Sequence, residues 1–209
     1  MSHRTIAIGD IHGCDKALDS LLGEINPTLD DTIVILGDCV DRGPGSRGVI
    51  EQLLAYRERC TLVPLMGNHE EMMLNFLDQC PQPNDWLYFG GRETLTSYDA
   101  LTDVHRVSLE HIDFMRTWKD LWETENHFFV HGNYVPNRPL AKQRLDLYRW
   151  LSLRESMPAP HCSGKTAIVG HTSQKSGEIL DLGYLKCIDT FCHGGGWLTA
   201  LDVESGYVW

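Results

Sequence analysis

The sequence predicts an α/β fold on three observations. Strand-like and helix-like segments alternate through its first third, each early strand ends in a glycine-led polar loop, and short strands dominate its last half. Thr5 to Ile8 is a short apolar run, and Ala17, Leu18, Leu21, Leu22 and Ile25 then recur at helical spacing. Thr32 to Leu36 is β-branched and apolar, Val49, Ile50, Leu53 and Leu54 repeat the helical pattern, and Thr61 to Leu65 repeats the strand. A β-α-β-α-β order calls for parallel strands with helical crossovers. From Glu70 to about Trp122 the pattern is of helices and loops, with Gly90 and Gly91 breaking it before Glu93 to Ala100. Trp118 and Trp122, at i and i+4, are expected on one helix face in the core. His127 to Val130, Ala167 to Val169, Leu185 to Ile188 and Leu198 to Val203 read as strands between polar or glycine-rich turns.

A chain of 209 residues with 42% hydrophobic and 22% charged residues is expected to form one domain over 1–209. No leader precedes the first strand, and no run approaches the roughly 18 apolar residues of a membrane span, so a soluble cytoplasmic protein without a membrane partner is expected. The net charge of −11 and the lack of clustered Lys and Arg argue against nucleic acid as a partner. A phosphate bound by so acidic a chain must be neutralised locally, by metals or a few placed arginines. Seven scattered cysteines without a CxxC pair suggest reduced thiols.

The loops after the strands carry the chemistry. GDIHG (9–13), GDCVDRG (37–43) and GNHE (67–70) each follow a strand, and carboxyl ends of parallel strands share one sheet edge. Asp10, His12, Asp38 and Asn68 occupy those loops, and His131 and His171 follow two later apolar runs. Each alone is an ordinary turn or cap residue. Together, five strand ends deliver Asp, His, Asp, Asn, His and His, a donor set for hard or borderline divalent cations that turn formation does not require.

With VHG and GHT added, these motifs resemble the calcineurin-like metallophosphoesterases, and within them the phosphoprotein phosphatase branch that contains small bacterial and bacteriophage serine/threonine phosphatases. The resemblance runs from Gly9 to about His171, and the tail CIDTFCHGGGWLTALDV also resembles that branch and its dinucleoside-tetraphosphate hydrolases. It implies two mixed β-sheets packed as a sandwich flanked by helices, with the site at the sheet edge. It further implies two divalent cations, one held by Asp10, His12 and Asp38 and the other by Asp38, Asn68, His131 and His171. Mn²⁺ is the first expectation, with Fe, Zn, Ni and Mg open. A hydroxide between the metals would attack phosphorus directly, His69 would protonate the leaving group, and Asp41 would orient His69. Arg42 would clamp the phosphate with a second arginine, for which Arg149 is the choice and Arg144 and Arg154 are alternatives.

Ser173 stands where many relatives outside this branch have a second histidine, and the short chain leaves little room for an elaborate substrate groove. Trp86, Tyr88 and Phe89 are expected to form one cleft wall. Cys14, Cys39 and His193 flank the motif loops as buried thiols or a loop histidine, with redox sensitivity at Cys39 a hypothesis. The expected substrate is a phosphorylated protein or a small phosphoester. A serine/threonine phosphatase leads, with a symmetrical dinucleoside-tetraphosphate hydrolase and a non-catalytic metal-binding scaffold as alternatives; the oligomeric state is left open.

Overall fold

The computed structural model describes residues 3–80 and 85–209. Strands β1 (Thr5–Ile8), β2 (Thr32–Ile35) and β3 (Thr61–Pro64) alternate with helices α1 (Asp15–Ile25) and α2 (Ser46–Tyr56), as the apolar spacing predicts. Helices α3 (Asn68–Leu77), α4 (Arg92–Ser97) and α5 (Leu109–Arg116) follow, with a π-helical turn at Leu87–Gly91. Strands β4 (Trp122–Glu123) and β5 (His127–Phe129), helix α6 (Leu145–Trp150), and strands β6 (Thr166–Val169), β7 (Leu180–Asp181), β8 (Leu185–Cys187) and β9 (Ala200–Asp202) complete the elements used here.

The strands form two mixed sheets. One has the order β3-β2-β1-β9, with β9 antiparallel; the other is β4-β5-β6-β8-β7, with parallel β5, β6 and β8 between antiparallel edges. Strand alternation sends side chains to two buried faces. Ala7, Val34, Leu36, Phe129, Ile168 and Ile188 pack between the sheets. Ile6, Ile8, Ile33 and Ile35 face α1 and α2 through Leu18, Leu22, Val49, Ile50 and Leu53. Phe128, Val130, Ala167 and Val169 cover the far face with Tyr148 and Leu153. This is the helix-flanked two-sheet fold the resemblance implies. No helix among the described residues is long and apolar enough to cross a membrane.

Trp118 and Trp122 do not share a helix. Helix α5 ends at Arg116, because the next residues extend along the edge of β3: Lys119 N–H donates to the Pro64 carbonyl (3.1 Å) and Met66 N–H to that of Lys119 (2.7 Å). Trp118 is buried edge-to-face on Phe114, whereas Trp122 opens β4, half-buried with the Lys119 ammonium over its ring.

Candidate metal centre

The carboxyl ends of β1, β2 and β3 in one sheet and of β5 and β6 in the other meet at a single edge, and all six predicted donors lie there. Asp10 and His12 follow β1, Asp38 follows β2, Asn68 opens α3 after β3, and His131 and His171 follow β5 and β6. His12, Asp38, Asp41, Arg42 and His171 have φ of 46°, 48°, 74°, 67° and 60°. This left-handed backbone costs a non-glycine residue about 1 kcal/mol or more, so five such residues in the loops of one edge record strain concentrated at this site. Glycines provide the close approaches: a Cβ at Gly67 would collide with the Asp38 carboxylate, and one at Gly170 with that of Asp10.

Two groups of donors share Asp38. His12, Asp38 and His69 place their ligand atoms within 4.8 Å of one another, as do Asp38, His131 and His171. The Asp38 carboxylate is 3.4 Å from His12 Nε2 and 3.3 Å from His131 Nε2. The ring orientations are set from behind. His12 Nδ1 donates to the Val40 carbonyl (3.0 Å), His131 Nδ1 to that of Leu36 (2.7 Å) and His171 Nε2 to that of Trp150 (2.9 Å). A carbonyl only accepts, so each tethered nitrogen carries the proton and the other presents its lone pair, the tautomer a metal ligand needs. Asn68 Oδ1 lies 3.1 Å from His131 Nε2. Asp10 stands slightly back, its carboxylate accepting the His171 backbone N–H at 3.1 and 3.0 Å.

The electrostatics suit a cation. Burial lowers His12 and His131 and brings His171 down to about 4, so these rings are neutral and need shed no proton to coordinate. Burial opposes ionisation of Asp38, but the surrounding imidazoles outweigh it and hold its carboxyl well below the usual range. Asp10 is pushed up by burial and by the nearby carboxylates of Asp189 and Asp38. That crowding is what a divalent cation would relieve.

Beside this centre, His69 Nδ1 donates to Asp41 Oδ2 at 2.6 Å. Burial opposes protonation of His69, yet Asp38 and Asp41 outweigh it and raise its pKa. The two terminal nitrogens of Arg42 donate to His69 Nε2 (2.9 Å) and His12 Nε2 (2.8 Å), so each of these ring nitrogens presents its lone pair to the guanidinium.

Arg149 is not brought into the centre. Its guanidinium is tied to Asp120 (2.6 Å) and Glu71 (2.8 Å). Arg144 pairs with Asp146 on the surface, while Arg154 reaches the Ser173 carbonyl, two residues beyond His171. Trp86 is not a cleft wall: it is fully buried and its indole N–H donates to the Asp41 carboxylate (2.8 and 2.9 Å). Tyr88 and Phe89 are exposed. Cys39 is fully buried and burial pushes its thiol up, which removes the basis for redox sensitivity there. All seven cysteines are free. His193 packs edge-to-face on His12, ring centres 4.6 Å apart.

Sequence reasoning assigns no role to three supports, one of which, Asp189, lies in the tail that resembles the family. Glu70 accepts the backbone N–H groups of Asp38, Cys39, Val40 and Gly67 at 2.7 to 3.1 Å, pinning the Asp38 loop to the start of α3. Its place three residues after Gly67 is the capping-box position and could have flagged it. Asp189, after β8, is buried against Asp10 and accepts from Ser173 Oγ (2.7 Å). Thr94 Oγ1 donates to Asp41 (2.7 Å) from α4, with no signal in the motifs.

The family model for calcineurin-like phosphoesterase matches residues 3–177. Serine/threonine-protein phosphatase 1 of Salmonella typhimurium is 29% identical over 207 residues, covering 94% of this chain and 90% of that protein. The symmetrical bis(5'-nucleosyl)-tetraphosphatase of Janthinobacterium sp. is 31% identical over 139 residues, 66% of this chain but only 46% of that protein. In fold, a candidate diadenosine tetraphosphatase superposes with a TM-score of 0.75 at 19% identity, over 99% of this chain and 91% of that one.

Proposed function

Because this chain belongs to the calcineurin-like phosphoesterase family, we propose that it is a two-metal phosphohydrolase built around Asp38. The observation that carries this is the shared, buried Asp38 carboxylate between two sets of imidazoles, of which His12, His131 and His171 have their remote nitrogens tied to carbonyls. One cation would be held by Asp10, His12 and Asp38, and a second by Asp38, Asn68, His131 and His171. Divalent cations bound there supply Lewis acidity, activating water as the nucleophile and drawing charge from the phosphoryl oxygens.

The rest falls to the protein's own groups. Arg42 would hold two phosphoryl oxygens through a bidentate guanidinium contact. Arg154 serves as the second clamp in place of Arg149, because Arg149 is engaged by Asp120 and Glu71. His69, whose pKa Asp38 and Asp41 raise, would carry a proton at Nε2 once Arg42 turns from it to the phosphate and would deliver that proton to the leaving oxygen, while Asp41 stabilises the charged ring and fixes its tautomer.

For substrate, the near full-length similarity to the Salmonella protein phosphatase supports a phosphoserine or phosphothreonine protein. A second reading, a symmetrical dinucleoside tetraphosphate, is favoured by the exposed Tyr88 and Phe89 beside Arg42. The test is phosphate or nucleotide release by metal-stripped protein with Mn²⁺ restored, on a phosphoserine peptide and a dinucleoside tetraphosphate side by side. Turnover of either with Mn²⁺, Fe, Zn, Ni or Mg supports the phosphohydrolase, and the preferred substrate decides between the readings. Metal binding without turnover of either would make the chain a scaffold.

A further inference from the structure

The two cations of the proposed centre are unequally provided for. The second would have four protein ligands, Asp38, Asn68, His131 and His171. Its two imidazoles, His131 and His171, meet edge-to-face with ring centres 4.9 Å apart and planes at 64°. The first cation would have only Asp10, His12 and Asp38. Yet a second imidazole stands against His12 in the same relation: His193 meets it edge-to-face, with ring centres 4.6 Å apart and planes at 79°. His193 therefore repeats beside His12 what His171 does beside His131.

The chain segment after β8 holds this ring in place. Asp189 accepts the Phe191 N–H (3.0 Å), and the Phe191 carbonyl accepts the N–H groups of Gly194 (3.0 Å) and Gly196 (2.9 Å), which closes a tight turn around His193. Position 194 must be glycine, because a Cβ there would collide with the Phe191 ring. Phe191 packs edge-to-face on His193 with ring centres 4.9 Å apart, so the half-buried imidazole sits between Phe191 and His12. Its Nδ1 is buried and has no hydrogen-bond partner among the described residues. Native proteins satisfy nearly all buried polar atoms, and an orphaned one calls for a partner such as a water or an ion. The surroundings favour a cation: Asp10, Asp38 and Asp189 are buried within electrostatic reach of one another, and Asp38 also acts on His193. Arg42, the nearby positive group, donates to His12 and His69. Neither Asp10 nor His193 belongs to the tight group of His12, Asp38 and His69, so both would close on a cation rather than stand preformed around it.

We propose that His193 is the fourth protein ligand of the first cation, joining Asp10, His12 and Asp38 through its Nδ1. Two carboxylates and two imidazoles suit Mn²⁺, Fe or Zn²⁺ better than Mg²⁺, which favours oxygen donors and retained water. The inference rests on the two-metal reading, and its test follows the metal rather than turnover. Calorimetric titration of metal-stripped wild-type protein with Mn²⁺ should show two bound cations. His193→Ala and His193→Phe should each weaken one of them by about ten-fold or more, since loss of a direct ligand should cost at least what loss of an outer-shell partner does. The other cation should bind as in wild type, which also shows that the variant has folded. Phenylalanine keeps the ring packed on His12 and removes only the nitrogens. With Co²⁺ in place of Mn²⁺, the same variants should change the visible absorption of one cation, because its ligand set has changed. Wild-type affinity for both cations in His193→Phe would make His193 a packing residue. Equal weakening of both would make the effect a general loss of structure, and intact cation affinity with weaker binding of inorganic phosphate would assign the ring to the substrate. Each of these three results overturns the inference and leaves the two-metal reading standing. Fewer than two cations on the wild-type chain, with Mn²⁺ and with Zn²⁺, would remove that reading and the inference with it.

Discussion

Removing the indole N–H of Trp86 tests whether the buried shell around Asp41 acts on His69. The Asp41 carboxylate is fully buried and accepts from His69 Nδ1 at 2.6 Å, from Thr94 Oγ1 at 2.7 Å and from Trp86 Nε1 at 2.8 and 2.9 Å. Trp86→Phe keeps an aromatic side chain in the core and deletes one donor. A hydrogen bond to a charged group is worth about 1.5–3 kcal/mol, so the ionised form of Asp41 is destabilised by roughly one to two pKa units. Asp41 then supports protonated His69 less well. Were all of that loss felt in the transition state, turnover would fall by about 10- to 150-fold; with Thr94 still in place, a fall of roughly ten-fold is expected. The loss should be selective. An alkoxide needs a proton to leave and nitrophenolate does not, so kcat on phosphoserine should drop by about ten-fold and kcat on p-nitrophenyl phosphate by less than about three-fold. The sign of the pH effect also follows. His69 acts as an acid only while protonated, so lowering its raised pKa moves the alkaline limb of the phosphoserine profile to lower pH. Equal losses on both substrates with an unmoved limb would show that Trp86 serves packing alone.

His69→Asn is expected to retain metal and to cut turnover of phosphoserine by roughly 10²- to 10⁴-fold, with a much smaller effect where the leaving group is a nucleoside diphosphate. Because His69 also lies in one of the two groups around Asp38, loss of a cation in this variant by metal analysis would reassign it from acid to ligand. Asp38→Asn should lose both cations and activity together, and two metals retained per chain would refute the shared carboxylate. Asp31 accepts from Arg4 at 2.6 and 2.9 Å and from Thr28 N–H at 2.8 Å, and the Arg4 hydrogen bond holds its carboxyl below the usual range. A carboxylate with a lowered folded pKa contributes stability above its unfolded pKa and loses it as pH falls. Asp31→Asn should therefore cost about 1–3 kcal/mol in urea denaturation at neutral pH, and the gap from wild type should narrow below pH ~4. An undiminished gap in acid would show that the charge is not its source.

The division between what the sequence disclosed and what it did not has a physical basis. The donors were legible because metal chemistry restricts residue type and strand ends restrict place: Asp10, Asp38 and Asn68 hold the same offset from glycine after three consecutive strands, and those strands lie parallel in one sheet. The second sheet was legible only as scattered apolar runs, since strands of three or four residues give too few alternations to fix pairing. Trp118 and Trp122 misled because two residues at i and i+4 fit a helix equally well until β3 offers its edge to Lys119. Arg149 could not be separated from Arg154 by pattern, because whether a guanidinium is available depends on carboxylates far away in sequence, here Glu71 and Asp120. Trp86 and Thr94 were hidden for the same reason. A buried carboxylate at position 41 must find donors, but the chain supplies them from α4 and from the start of the π-helical turn, more than forty residues on. That contact ties the Tyr88–Phe89 turn to the centre: the segment whose Trp86 satisfies Asp41 also carries two exposed rings. Substitutions at Trp86 should accordingly disturb the Tyr88–Phe89 turn as well as proton transfer, whereas substitutions at Thr94, which also accepts the Asp41 backbone N–H (2.8 Å), should act through the Asp41 loop.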